Sequence, residues 1–427
     1  NLDRMAANGV LFDRWFTNNP VCAPSRATNF TGRYPHQHTK LTNQAGIAPG
    51  RIEGTLLGHM GERGYRLGWI GKNHTYQKRA FRRLDEVSIR TREPFRKYPS
   101  NIPPWWHSDM YWPAEDCYAT RNTADAVEFI EQADANDPFF LHVSYFDPHP
   151  PYFAPAEYAV KHDPADVQLP EFIPPSQLSE RLDEYSRAHC YPRASDADFS
   201  EAMRYYYTSI EWGVDLQVGR ILKALEDSGH MDNTVVVFMS DHGDFMGHYR
   251  MVRKGMFLYD ALLHVPMIWY APRRFGGGRR IHELAQGVDL TPTLVDIAGG
   301  KVPDGLPGRS LRPLLEGKRD EREDVTVYAS AAYGELPDDY FEDPEPLYDP
   351  DAEKPLHSRI MRQGCDADYR TKMARNAAWK LILNESGGPE LYHLDGGVGE
   401  RENVADRAEH RAVRRELEAD LERLWSW

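Results

Sequence analysis

NPVCAPSRATNFTGRY, residues 19–34, packs a thiol, a proline, a hydroxyl and an arginine into the five positions that begin at Cys22 and end at Arg26. Pro24 suits the first turn of a helix, because the N–H it lacks is one of the donors left unpaired there. The helix then runs through Phe30 and stops near Gly32, the residue type that accepts the left-handed cap conformation. Cys22 therefore stands at a helix N-terminus, where free N–H groups and the dipole favour an anion and a thiolate alike. Arg26 adds a planar fork of donors suited to a tetrahedral oxyanion. A lone cysteine is most often an inert buried thiol. Proline and arginine at fixed offsets move the reading from packing toward chemistry.

Outward from this stretch, strands and helices alternate. Residues 1–9 read as a short amphipathic helix, and 10–12 as a strand leading to the Cys22 loop. A helix over 55–63 precedes a strand over 65–70, and Gly71-Lys72-Asn73-His74 follows it. Residues 81–112, rich in Arg, Pro and Trp, read as a long irregular excursion lining a cleft. After a helix over 122–132, residues 138–145 form a continuously apolar strand of the kind buried on both faces. It delivers Asp147-Pro148-His149-Pro150-Pro151-Tyr152. Residues 199–229 carry apolar side chains at helical spacing (Ile210, Val214, Val218, Ile221, Leu222, Leu225) and read as one long helix. The apolar strand 235–239 then delivers Ser240-Asp241-His242-Gly243-Asp244, followed by a strand over 262–270 and a helix over 289–298.

This alternation predicts an α/β fold with a large mixed, mostly parallel sheet flanked by helices over residues 1–319. Short strands at 325–331, 377–384 and 390–394, closed by a charged helix over 410–424, predict a smaller C-terminal α+β domain over 320–427. Ligands of wound sheets gather beyond the carboxyl ends of the strands. Cys22, Lys72, His149 and Asp241 all follow predicted strands, which places them at one site.

Composition narrows the function. At 427 residues, 41% hydrophobic and 27% charged, the chain is long enough for a large core. A net charge of −14 without basic runs argues against nucleic acid and anionic membranes as partners. It leaves an anionic substrate open, since a local Arg/Lys/His pocket sets the field where it acts. Cys22, Cys117, Cys190 and Cys365 show no metal spacing, and three remain if Cys22 is reserved for chemistry, so no disulfide framework is expected. No apolar run reaches membrane-spanning length. No signal peptide is visible in these residues, which leaves the compartment open between cytoplasm and periplasm, and the oligomeric state open as well.

Each remaining motif has a bland reading when taken singly. An isolated Asp-His pair at a strand end is a turn cap in roughly four cases of five, although carboxylate and imidazole together suit a divalent cation. A Gly-Lys turn is usually surface punctuation. A histidine between prolines is usually packed.

Together the motifs resemble the sulfatase family. Cys22, Pro24 and Arg26, with Thr31-Gly32-Arg33, match its Cys-x-Pro-x-Arg signature. Asp241-His242 with Lys254 match its second block, Gly71-Lys72-Asn73-His74 its Gly-Lys-x-His segment, and Asp147-Pro148-His149 the position of a sulfate-side histidine. Ala378–Leu383, Glu390–Asp395 and Glu402–Ala405 resemble its closing strand and turns. The cysteine phosphatases, with Cys-x5-Arg, are set aside because Thr28 stands at that offset.

The resemblance implies that Cys22 is oxidised to formylglycine by a maturase, the hydrated aldehyde being the nucleophile. It implies a divalent metal on Asp241, His242 and residue 22, calcium first, with magnesium or manganese as alternatives. Arg26 would help activate the nucleophile, Lys72 and Lys254 would bind sulfate oxygens, His74 would hold or deprotonate the hydrate, and His149 would protonate the leaving alcohol. The implied reaction is hydrolysis of a small-molecule or sugar sulfate ester. A phosphonate monoester or phosphodiester hydrolase on the same fold is the first alternative, and a non-catalytic binding member the second. The family also places an Asp-Asp strand ahead of the position of Asn1, so the expectation is a preceding segment that supplies two further metal ligands. Trp105, Trp106, Trp112 and Tyr152 are candidates to stack on an aryl or sugar ring.

Overall fold

The computed structural model describes the chain apart from residues 42, 44–45, 84–86, 91–106, 111–113, 135–136, 151, 156–157, 159–161, 189–193, 333–369, 386, 395–399 and 425–427. Trp105, Trp106 and Trp112, and with them most of the 81–112 excursion, lie outside the described residues.

Two sheets carry the catalytic half. In the first, Arg66–Gly71 lies between Val87–Arg90 and Phe139–Ser144, all parallel. In the second, Val10–Phe12 pairs in parallel with Arg279–Ile281 and antiparallel with Met267–Tyr270, which pairs antiparallel with Val236–Met239. The fold is thus α/β with one parallel and one mixed sheet and flanking helices, but the described strands of this half make these two sheets and two short two-stranded ones rather than a single sheet. Phe139–Ser144 and Val236–Met239 each have a neighbour on one side only among the described residues. Both line a cavity of about 1270 Å³, together with Val218, Ile221 and Leu222 of one helix. The expectation that residues 138–145 are buried on both faces is corrected here, because that cavity leaves residues 139–143 only half-buried.

Two other expectations shift. The strand over 262–270 begins only at Met267; Asp260–Leu263 is a helical turn, and Pro266, which has no N–H for a ladder, stands ahead of the strand. The single helix expected over 199–229 is continuous over 196–227, with a π-helical turn, Glu211–Asp215, set between Asp196–Ile210 and Leu216–Asp227. A Cβ at Gly213 in the wide turn would stand 2.9 Å from Asp147 Cγ, so the glycine is what lets the helix press against the His149 loop.

The C-terminal part is a four-stranded antiparallel sheet, Val327–Ala332, Arg370–Arg375, Trp379–Asn384 and Glu390–His393. Helix Arg411–Leu424 covers it through Leu417 and Leu421. Polar groups join this sheet to the rest. Wholly buried Lys380 pairs with Asp260 at 2.7 Å and Glu400 at 2.5 Å, and Arg375 reaches Asp260 at 3.3 Å. Asn18 donates to Tyr328 O, Asn19 donates to Ser330 O, and Ser330 N–H returns to Asn18 O. Among the described residues no helix is long and apolar enough to cross a membrane.

Candidate active site

Helix Cys22–Thr31 begins as its sequence requires. Val21 is the extended N-cap, Pro24 falls in the first turn, and Gly32 closes the helix at φ 63°. No side chain of Val21 can cap, so asparagines do the work: Asn19 Oδ1 accepts from Val21 N–H at 2.8 Å and Asn43 Oδ1 from Ala23 N–H at 3.0 Å. Cys22 is buried at this terminus, only 1% exposed.

Four groups from three other segments converge on its sulfur. His242 Nε2 lies 3.1 Å away and Lys72 Nζ 3.4 Å away; His74 and His149 are hydrogen-bond partners of the sulfur. Lys254 contributes its charge as well. Burial alone would raise the Cys22 thiol, but Lys254, Lys72 and His242 with the His149 hydrogen bond outweigh it and hold it well below its ordinary value. Burial lowers the Lys72 ammonium in turn, with Cys22 and Asp241 opposing.

Backbone geometry aims these groups. Gly71 takes φ 91°, and a Cβ there would stand 2.1 Å from Ser144 O, so the turn that presents Lys72 accepts only glycine. Lys72 N–H then donates to Ser144 O at 3.1 Å, and its ammonium sits 5.2 Å above the Phe146 ring. His149 packs on the same ring at 4.6 Å and donates Nδ1–H to Pro150 O at 2.7 Å, which leaves Nε2 for the site. Burial, then Lys254 and Lys72, keep His149 well below its usual range and therefore neutral.

Arg26 does not present an open fork. Its Nε donates to Asp241 Oδ2 at 2.7 Å and its Nη1 to Ser144 Oγ at 2.7 Å, so it braces Asp241. Burial would raise the Asp241 carboxyl, but Arg26 and His242 hold it below the carboxylate range.

The residues fit one side of a cation site. Donor atoms of Cys22, Asp241 and His242 lie within 4.8 Å of one another. His242 donates Nδ1–H to Gly243 O at 2.7 Å, which turns Nε2 toward residue 22. A hard cation asks for about six ligands, mostly oxygen, so this set is a partial one.

Tyr152 is corrected: it is wholly buried and its hydroxyl donates to Asp244 Oδ2 at 2.8 Å, so it cannot stack on a substrate. Sequence reasoning passed over Asn18 and Asn19, both wholly buried, and Ser25, which donates to Asp241 O at 2.5 Å. Two adjacent asparagines just ahead of the Cys22 motif were the available signal.

The chain matches the family model for sulfatase over residues 1–300. It is 29% identical to an uncharacterized sulfatase, YidJ, of Escherichia coli over 74% of this chain and 66% of that protein. It is 28% identical to an arylsulfatase of Clostridium perfringens over 78% and 76% of the two chains, and 26% identical to human arylsulfatase K over 94% and 73%. In fold it is similar to a phosphonate monoester hydrolase of Silicibacter pomeroyi, with TM-score 0.78, 23% identity and 99% and 89% coverage. It is similar as well to a protein solved with its substrate D-glucosamine-2-N,6-O-disulfate, with TM-score 0.72, 22% identity and 99% and 91% coverage. With the signature cysteine, its lysines and its Asp-His pair gathered around one sulfur, the chain belongs to the sulfatase family.

Proposed function

We propose that the chain hydrolyses a sulfate monoester to an alcohol and sulfate, with residue 22 as the nucleophile in its formylglycine form and a divalent cation on Asp241 and His242. The convergence of Lys72, Lys254, His74 and His149 on buried Cys22 carries this reading. The aldehyde at residue 22 supplies a hydrated nucleophile, and the cation supplies charge for the sulfate oxygens.

The chain's own side chains do the rest. Lys72 and Lys254 bind the non-bridging oxygens and stabilise the charge that builds there, the usual dominant contribution in such transfers. An anion bound by these lysines offsets the two charges that, after burial, lower His149, and so favours a proton on its Nε2 where the leaving oxygen will stand. His74 holds or takes the hydroxyl proton of the nucleophile. Arg26 and Ser25 keep Asp241 in place. The glucosamine disulfate bound by the structural relative and the arylsulfatase names of the sequence relatives support a sugar or aryl sulfate as the substrate class. Maturation of Cys22 calls for a formylglycine-generating partner.

The partial ligand set has a place to be completed. The apolar slot between Phe139–Ser144 and Val236–Met239 is lined at its end by Asp241 and His242, where further ligands would meet the cation. Equal metal content in wild type and in D241A refutes the cation site.

The deciding measurement is the mass of the peptide containing residue 22 after co-expression with a maturase, followed by rates on aryl sulfate and aryl phosphonate esters. Aldehyde at residue 22 with faster sulfate turnover is expected. An unmodified thiol refutes the nucleophile, and faster phosphonate turnover refutes the substrate class.

A further inference from the structure

We propose that Asp244 is a positioning residue whose carboxylate sets Lys254 and His149 against the substrate as one unit. The inference rests on the functional reading above.

The loop that ends at Lys254 is strained. Met246, Tyr249, Arg250 and Arg253 take φ of 33°, 55°, 52° and 70°, values that non-glycine residues rarely adopt, and Gly247 between them takes 91°. Such backbone persists only where surrounding contacts over-determine it, and it clusters at functional sites. Here the over-determination comes from one side chain. Asp244 Oδ1 accepts from Met246 N–H at 3.0 Å and from Arg253 N–H at 2.6 Å, so a single oxygen holds both ends of the loop. Lys254 is the next residue.

The other oxygen reaches a second element. Asp244 Oδ2 accepts from the Tyr152 hydroxyl at 2.8 Å, and that hydroxyl in turn accepts from Arg253 N–H at 3.2 Å. Tyr152 opens strand Tyr152–Pro155, three residues after His149. The chain His149 loop–Tyr152–Asp244–Arg253–Lys254 therefore links the proton donor to a sulfate-binding lysine. Asp244 also stands two residues past His242, so the same short segment carries a cation ligand and the brace for two substrate-side groups. A carboxylate is suited to this because its two oxygens accept from donors on different elements.

Reacting groups displaced by about 1 Å lose roughly a hundredfold in rate. The test measures kcat, KM and inorganic-sulfate affinity, the last by calorimetry, in wild type, D244A, D244N, Y152F and D244N/Y152F. D244A is expected to lose about a hundredfold in kcat/KM, with KM raised and sulfate affinity lowered in the folded enzyme. D244N keeps an acceptor for the two N–H groups but cannot accept from Tyr152, so it should resemble Y152F, with the double variant no worse than either single. A merely structural role predicts less folded protein with kcat, KM and sulfate affinity unchanged per active site, and that result overturns the proposal. Multiplicative losses in the double variant overturn it as well. Should D244A fail to fold, Y152F carries the same comparison. Wild type turning over aryl phosphonate instead of aryl sulfate refutes the substrate assignment alone, and the raised KM of the variants on that ester still upholds the role of Asp244.

Discussion

Replacing Lys380 by methionine should destabilise the protein through one buried charge cluster. Lys380 is wholly buried, and its ammonium lies 2.7 Å from Asp260 and 2.5 Å from Glu400. Methionine keeps the volume but leaves two carboxylates with Arg375, 3.3 Å from Asp260, as the remaining cation. Removing one partner from a buried ionic group costs about 3–5 kcal/mol, since the charges left behind have lost their compensation. At roughly 2.1 cal/mol/K per residue, the unfolding entropy of a chain this long is about 0.9 kcal/mol/K, so Tm should fall by about 3–6 °C. The loss should also depend on pH. Burial would raise the Asp260 carboxyl, but Lys380 and Arg375 hold it below the carboxylate range. A depressed carboxyl contributes stability above its unfolded value near ~3.9, and that contribution is lost as pH falls through the folded value. The variant lacks most of it, so the gap to wild type is full at pH 7 and narrows below about pH 4. Denaturant unfolding followed by tryptophan fluorescence at pH 7 and pH 3.5 reads both. A gap under about 1 kcal/mol at pH 7, or one that widens in acid, refutes the reasoning.

Three further outcomes are expected. His149→Ala should cost about 10²–10⁴-fold in kcat on an alkyl sulfate and much less on an aryl sulfate with a good leaving group, because only the poor leaving group needs the proton; equal losses on both would count against His149 as the acid. Asp147→Asn should stabilise the protein near pH 7 and have little effect near pH 4. Burial raises the Asp147 carboxyl to about 6 despite the Ser209 hydrogen bond; ionising it above that pH costs stability, and a thermal-melt series that shows no gain at pH 7 would contradict this. Gly71→Ala should lower both Tm and kcat/KM, since its Cβ meets Ser144 O at 2.1 Å beside Lys72; wild-type activity in that variant would show the turn to be more pliant than drawn.

Much of the site was legible because its chemistry sits in short local words. Cys22, Lys72, His149 and Asp241 each follow a segment that reads as a strand, and strand ends converge. Residues that act across the fold were harder to read. Arg26 looked like an open anion fork because the sequence shows its donors but not Asp241 and Ser144, which occupy two of them. Tyr152 looked like a stacking surface for the same reason: its partners, Asp244 and Arg253, lie about a hundred residues away. The π turn inside the long helix escaped because the apolar stripe continues on both sides of it, and only Gly213 marks it. The two-sheet arrangement was equally hidden, since an apolar strand reads alike whether a neighbour or a cavity lies beside it.

The stitching of Asn18 and Asn19 to Tyr328 and Ser330 has a consequence in time. A ribosome making about 5–20 residues per second takes roughly 15–60 s to travel the three hundred residues between those partners. Throughout that interval the loop ahead of Cys22 lacks the strand that pins it, and the thiol that ends 1% exposed is still open to reagents. Any enzyme that alters this side chain thus works against a clock set by the far end of the chain. Slowing synthesis between residues 22 and 330 should raise the fraction of molecules carrying an altered residue 22.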